Sequence, residues 1–207
     1  MTPQDFTRIV RRKVLSRKNY NKIFCIGYNK TGTTTLELVL KLYGFNLPNQ
    51  QDQEARLTER CLATDYTELE SFVSGYDAFQ DLPFAQGQTY VAADALFPNS
   101  KFILSVRNPD DWFRSLTSFH KKMFGLDDPS AMTEQDVLEK LTYLYEGYSH
   151  VLKTRHLTTF SSGESFVDWS KLYDKDYYVE LYEARNRQIR TYLASAPEKL
   201  LVIDVTQ

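Results

Sequence analysis

Four short apolar runs punctuate a chain that otherwise alternates between helical periodicity and turn-rich polar stretches. Residues 23–26 (IFCI), 76–79 (YDAF), 102–106 (FILSV) and 200–205 (LLVIDV) have the length and the aromatic or β-branched content of strands. All but the second are nearly continuous in hydrophobicity, as expected of parallel strands covered on both faces. Between them apolar positions recur at helical spacing over 34–43, closed by Gly44, and over 67–73, closed by Gly75. The same spacing covers 90–97, stopped by Pro98, and 110–119, opened by Asn108-Pro109. Longer helical patterns over 134–152 and 177–193 precede the last strand. Strand and helix alternate, which predicts an α/β three-layer sandwich with right-handed crossovers around a central, mainly parallel sheet. In such a sheet ligands bind at the carboxyl ends of the strands, so the residues just after each strand are the place to look for chemistry.

The opening stretch sets Phe6, Ile9, Val10 and Val14 at helical spacing with Arg8, Arg11, Arg12 and Lys18 around them. It predicts a basic helix over 1–21, either a solvated face over a sheet edge or a docking surface for a membrane or an acidic partner. Residues 1–22 hold seven Lys/Arg against one Asp, yet the whole chain has a net charge of -2, which argues against nucleic acid as a partner. At 207 residues, 42% hydrophobic and 25% charged, the chain is expected to fold as a single domain over 1–207. No apolar run approaches the roughly 20 residues that span a bilayer, so no transmembrane segment is expected and the cytoplasm is the expected compartment. Cys25 and Cys61 give neither a disulfide framework nor metal-ligand spacing, and three scattered histidines add no ligand set, so no metal is expected.

After the first strand comes Gly27-Tyr28-Asn29-Lys30-Thr31-Gly32-Thr33-Thr34-Thr35, running directly into a helix. Glycines permit a tight turn, and successive backbone N–H groups at a helix N-terminus converge on an anion, aided by the helix dipole and the threonine hydroxyls. The arrangement reads as a P-loop-like phosphate cradle, strand-loop-helix; the bland alternative is a simple strand-to-helix turn. Gly27 and Gly32 have the spacing of a Walker A loop, but Thr33 stands where that motif puts its lysine, and Lys30 lies two residues before the second glycine.

A second anion site is readable in residues 102–115. Asn108 suits an N-cap, Pro109 the first helical turn, and Asp110 and Asp111 complement the helix's positive end, so Arg107 falls between strand and helix. Arg107 and Ser115 could hold one phosphate between them. Alternatively Arg107 pairs with Asp110 or Asp111 and Ser115 is plain helix surface.

Lys30-Thr31-Gly32-Thr33-Thr34, together with Arg107 and Ser115 eight residues later, resembles the two phosphate motifs of the PAPS-dependent sulfotransferase superfamily. The resemblance covers residues 22–120 most firmly. It implies a metal-independent transferase that uses 3'-phosphoadenosine 5'-phosphosulfate (PAPS) and releases the bisphosphate PAP. It further implies that Lys30 contacts the oxygen bridging sulfur and phosphorus, and that Gly32, Thr33, Thr34 and Thr35, with Thr31 in the same loop, hold the 5'-phosphate. Arg107 and Ser115 would take the 3'-phosphate.

Many small-molecule sulfotransferases have His-Leu-Pro where this chain has Asp81-Leu82-Pro83. Asp81 is therefore the candidate general base for an acceptor hydroxyl or amine, the alternative being a helix cap; His120 and Asp65 are reserves. The superfamily normally continues past the last strand into a segment that helps enclose the nucleotide, and that segment is expected to be absent here. The acceptor, a small molecule or carbohydrate, is expected to meet residues 45–52, 84–88 and 121–132. Tyr143, Tyr145, Tyr148, Tyr173, Tyr177, Tyr178 and Tyr182 crowd the late helices and read as packing rather than as a stacking platform. A P-loop kinase or NTPase with Asp204 as its Mg²⁺-holding acid, and a catalytically silent nucleotide-binding module, are the competing readings.

Overall fold

In the computed structural model, which describes residues 19–204, the chain runs β1 (Ile23–Cys25), α1 (Thr33–Leu42), α2 (Gln50–Leu62), α3 (Leu69–Ser74), β2 (Ala78–Phe79), α4 (Thr89–Leu96), β3 (Lys101–Val106), α5 (Pro109–Phe124), α6 (Glu134–Lys140), α7 (Tyr148–Leu157), β4 (Thr158–Ser161), β5 (Glu164–Val167), α8 (Lys175–Tyr192) and β6 (Leu200–Asp204). The basic helix expected over the opening residues lies outside the described ones. The chain divides into two units, one holding the residues up to Arg107 and those from Asn186 onward, the other Asn108–Arg185.

The first unit is built on a four-stranded sheet of order β2-β1-β3-β6, every neighbouring pair parallel. This is the α/β sheet that the alternation of runs predicts. Along β1 the side chains alternate between two cores, because successive Cβ atoms of a strand point to opposite faces. Ile23 and Cys25 join Ala78, Phe45 and the buried stripe Leu36 and Leu40 of α1 on one face. Phe24 and Ile26 face the other way, onto Phe79, Phe84, Phe102 and Leu104 with Leu57, Phe72, Ala93 and Ile189 from the helices. Phe24 is fully enclosed, its ring stacked on Phe79 at 5.2 Å and 4.9 Å from that of Phe84. Each such ring contributes about 1.5–3 kcal/mol by leaving water. Helix, sheet and helix are the three layers.

Two stretches depart from the sequence pattern. Residues 50–62 form a helix that apolar periodicity does not announce, since its buried positions are Gln53, Glu54, Leu57, Thr58 and Cys61. Asn49 starts it by accepting from the Asp52 N–H at 3.1 Å. The helical pattern over 134–152 is in fact two helices, α6 and α7, with Gly147 (φ 85) as the N-cap of the second.

In the second unit α5 has the predicted N-terminal end but runs past the expected 119 to Phe124, so residues 121–124 of the expected irregular stretch 121–132 are helical. The Asn108 side chain accepts from the N–H groups of Asp110 and Asp111 at 3.0 and 3.2 Å, Pro109 opens the helix, and Gly125 closes it in the left-handed conformation at φ 65. Trp112 stacks on Tyr182 at 4.5 Å. β4 and β5 form an antiparallel hairpin, Thr158 opposite Val167, turning at Ser162 and Gly163 with φ 54 and 86.

Candidate functional site

β1 lies between β2 and β3, so the connections leaving β1 and β3 flank the point where strand order reverses, the usual ligand crevice of an open α/β sheet. The loop after β1 is pressed against β3. A Cβ at Gly27 would come within 2.3 Å of the Ser105 carbonyl oxygen and Oγ, so only glycine fits there. Lys30 (φ 69) and Gly32 (φ 91) both take the left-handed conformation, and between them they turn the chain from strand to helix. Gly32 is the N-cap of α1, accepting from the Leu36 N–H at 3.1 Å. No acidic residue occupies the first turn of α1, and Thr34 and Thr35 are exposed there, so the helix presents its positive end and its N–H groups uncancelled.

Thr31 is differently placed. It is fully buried, its hydroxyl donating to the Tyr28 carbonyl and lying 2.7 Å from Ser105 Oγ. Its N–H also goes to the Tyr28 carbonyl, at 3.3 Å. Thr31 thus braces the loop from inside, tying it to β3.

The Thr33 hydroxyl donates to Asp81 Oδ2 at 3.1 Å, and Asp81 Oδ1 accepts from the Leu82 N–H at 3.0 Å. Burial pushes the Asp81 carboxyl above the ordinary carboxylate range, while the Thr33 hydroxyl, the Leu82 N–H and the Lys30 charge pull it back. Burial draws the Lys30 ammonium below its usual value; Asp81 opposes that and Arg107 adds to it. Arg107 donates from Nη1 to the Lys30 carbonyl at 3.4 Å. The loop after β1, the turn after β2 and the end of β3 therefore bring two cations, a helix N-terminus and one buried carboxyl into electrostatic contact.

A family model for a sulfotransferase domain matches residues 22–207. The chain belongs to the sulfotransferase family. A comparison with curated proteins finds no match. Sulfuryl transfer, in general to small-molecule acceptors, is thus the chemistry of the family to which this transferase belongs. No helix among the described residues is long and apolar enough to cross a membrane.

In this sulfotransferase the remaining expected residues fall as follows. Ser115 is half-buried on α5 in the second unit, and Asp110 and Asp111 of that unit pair with Lys175 and Arg114. No helix starts at Asp81; the chain turns at residues 82–85 before α4 begins at Thr89, and the carboxyl's local bond is that to the Leu82 N–H. His120 Nδ1 lies 2.8 Å from the Tyr173 hydroxyl. Asp65 is half-buried, its carboxyl held down by the Thr67 hydroxyl and N–H and by Arg60. Tyr148, Tyr173, Tyr178 and Tyr182 are buried packing residues. Of the expected acceptor stretches, residues 50–52 belong to α2 and Phe84 is wholly enclosed in the core.

Sequence reasoning missed Ser105 and Gln53. Ser105 hides inside an apolar strand and gains meaning only from the loop packed on it. Gln53 donates from Nε2 to the carbonyls of Gln80 at 2.8 Å and Leu82 at 2.5 Å, and nothing in the pattern marks it.

Proposed function

We propose that this sulfotransferase moves a sulfuryl group from PAPS to an acceptor hydroxyl or amine, with Asp81 as general base and Lys30 as the cation stabilising charge on the departing side. What carries this reading is the convergence of Lys30, Thr33, Asp81 and Arg107 at the carboxyl ends of β1, β2 and β3. The residues fit a phosphosulfate. A glycine-turned loop opens a helix whose first turn carries no acid, and two cations stand beside it. PAPS, when bound, supplies the sulfuryl group and leaves as PAP.

The chain's own contributions follow from the geometry. The N–H groups at the start of α1 and the exposed Thr34 and Thr35 hydroxyls hold the 5'-phosphate. The Thr33 hydroxyl serves Asp81, so Thr33 offers the phosphate its N–H rather than its side chain. Arg107 takes the 3'-phosphate, the part the resemblance gives to it and Ser115. Each Asp81 oxygen accepts one hydrogen bond, from Thr33 or from the Leu82 N–H. Those bonds orient the carboxylate and leave a further lone pair for the acceptor's proton. A carboxyl raised by burial holds that proton better than an exposed one, and positioned base catalysis of this kind contributes roughly 10²–10⁴-fold.

Thermal unfolding with PAP in the absence of Mg²⁺ tests the reading. A ligand that binds only the folded state adds about 2.7 kcal/mol at 100 times its dissociation constant. A raised melting temperature with PAP, and a loss of PAPS-dependent transfer in Asp81→Asn with PAP affinity retained, are the expected results. Stabilisation by ATP with Mg²⁺ and none by PAP would overturn the nucleotide assignment, and normal turnover in Asp81→Asn would overturn the base.

A further inference from the structure

Asp81 has φ 60, a left-handed conformation that few residues with a Cβ adopt, aspartate more readily than most. Its chain neighbours are held from α2. Gln53 uses both N–H bonds of its side-chain amide, one on the Gln80 carbonyl at 2.8 Å and one on the Leu82 carbonyl at 2.5 Å. These are the carbonyls of the residues before and after Asp81, whose own carbonyl accepts from the Ala85 N–H at 2.9 Å. Gln53 is 1% exposed, and both accepting residues are buried, so neither carbonyl could turn to water if the amide were removed. One turn earlier on the same helix, Gln50 Oε1 accepts from Gln80 Nε2 at 3.2 Å, a side-chain tie to the residue before Asp81.

We propose that Gln53 is a positioning residue for Asp81: by holding the carbonyls of the residues on either side, Gln80 and Leu82, it fixes the stretch of backbone from which the carboxyl meets Thr33 and faces the acceptor. This rests on the reading of Asp81 as the base. The chemistry of the position is restrictive. An NH₂ group offers two donors with no charge, which is what two neighbouring carbonyls next to a carboxyl require. A glutamate there would set acceptors against acceptors, and an apolar side chain of equal volume would orphan both carbonyls.

The test reads the Asp81 carboxyl directly, by carbon-13 NMR titration, and needs no acceptor. In Gln53→Met the two carbonyls are released, the carboxyl relaxes toward solvent, and its titration should fall toward the ordinary aspartate range. Gln53→Asn, one methylene shorter and able to reach one carbonyl at most, should give a smaller shift in the same direction. PAP affinity, measured by calorimetry, should change less than about twofold in both, because the loop after β1 does not touch Gln53 in this scheme. A residue that merely supports the fold would lower thermal stability and leave the folded protein's Asp81 titration where it is; that result overturns the proposal. In the unaltered protein the Gln53 side-chain amide protons should exchange slowly with water, and fast exchange overturns it without any variant. Absence of PAP binding by the unaltered protein would remove the nucleotide reading while leaving these outcomes intact.

Discussion

Thr33 and Asp81 lie 48 positions apart in the chain, and the hydroxyl of the first donates to the carboxyl of the second at 3.1 Å. The bond joins the helix end proposed to hold the 5'-phosphate to the carboxyl proposed to take a proton. It gives one threonine of the phosphate loop a task that the loop's sequence does not suggest.

Thr33→Val keeps the volume and removes the donor. Hydrogen bonds to charged groups are worth about 1.5–3 kcal/mol, so the Asp81 carboxyl should titrate roughly one to two pH units higher in the variant. Carbon-13 NMR of the carboxyl checks this, and the direction is opposite to that expected of Gln53→Met. An unchanged titration would show the bond to be incidental.

Lys30 and Arg107 should separate kinetically. Removing a charge that stabilises the departing group costs about 10²–10³-fold in turnover, so Lys30→Ala should lose most transfer while still binding PAP. Arg107→Ala, losing a charged grip on the bisphosphate, should weaken PAP binding by roughly 10- to 100-fold in calorimetry. Equal losses of affinity in the two variants would undo this division of labour. Release of PAP from PAPS, followed across a panel of hydroxyl and amine acceptors, gives the turnover half.

The second unit carries a separate acid–base signature. Lys153 is buried with its ammonium 4.4 Å from the Tyr173 ring centre, 5.5 Å from that of Tyr178 and 3.3 Å from the Tyr178 hydroxyl. Burial brings it down to about 7, and burial with Lys153 as neighbour brings His156, packed on Tyr178, down to about 3. Both groups bind a proton more readily unfolded than folded, so stability should fall as pH drops from 10.5 to about 7 through Lys153, and from 6.5 to about 3 through His156. Above pH 9 the buried Cys25 and Cys61 thiols, pushed up to about 12, act in the opposite sense, and the raised Tyr173 joins them at still higher pH. The clean window is therefore about pH 7 to 8.5, where stability should rise with pH, by about 1.4 kcal/mol per pH unit at most. Urea unfolding across that window checks it, and Lys153→Met should flatten the slope; a flat profile in the unaltered protein would contradict the burial of the charge.

The sheet was legible because its strands are buried on both faces, and runs such as 102–106 have no other easy home. The loop was legible as a strand-to-helix turn because glycine spacing reflects backbone conformation, and Gly32 does take a left-handed turn; the same conformation at Lys30 had no signal in the sequence. α2 was hidden for a physical reason: half its buried stripe is polar, so hydrophobic periodicity fades where Gln53 and Glu54 turn inward. The hairpin at residues 158–167 was hidden because much of it lies in water, Phe160 and Phe166 included, and alternation has no core to report. Thr31 looked like its neighbours and serves instead as an internal brace, a distinction set by Ser105 at a distance of 74 residues.

Gly27 and Thr31 seat the crest of the loop against Ser105 of the neighbouring strand. The loop is consequently preorganised, so under the proposed reading little chain entropy would be lost when the phosphate binds, and affinity would depend on charge and fit rather than on ordering. Any change that widened the gap between β1 and β3 would loosen the grip on that anion without altering a residue that touches it.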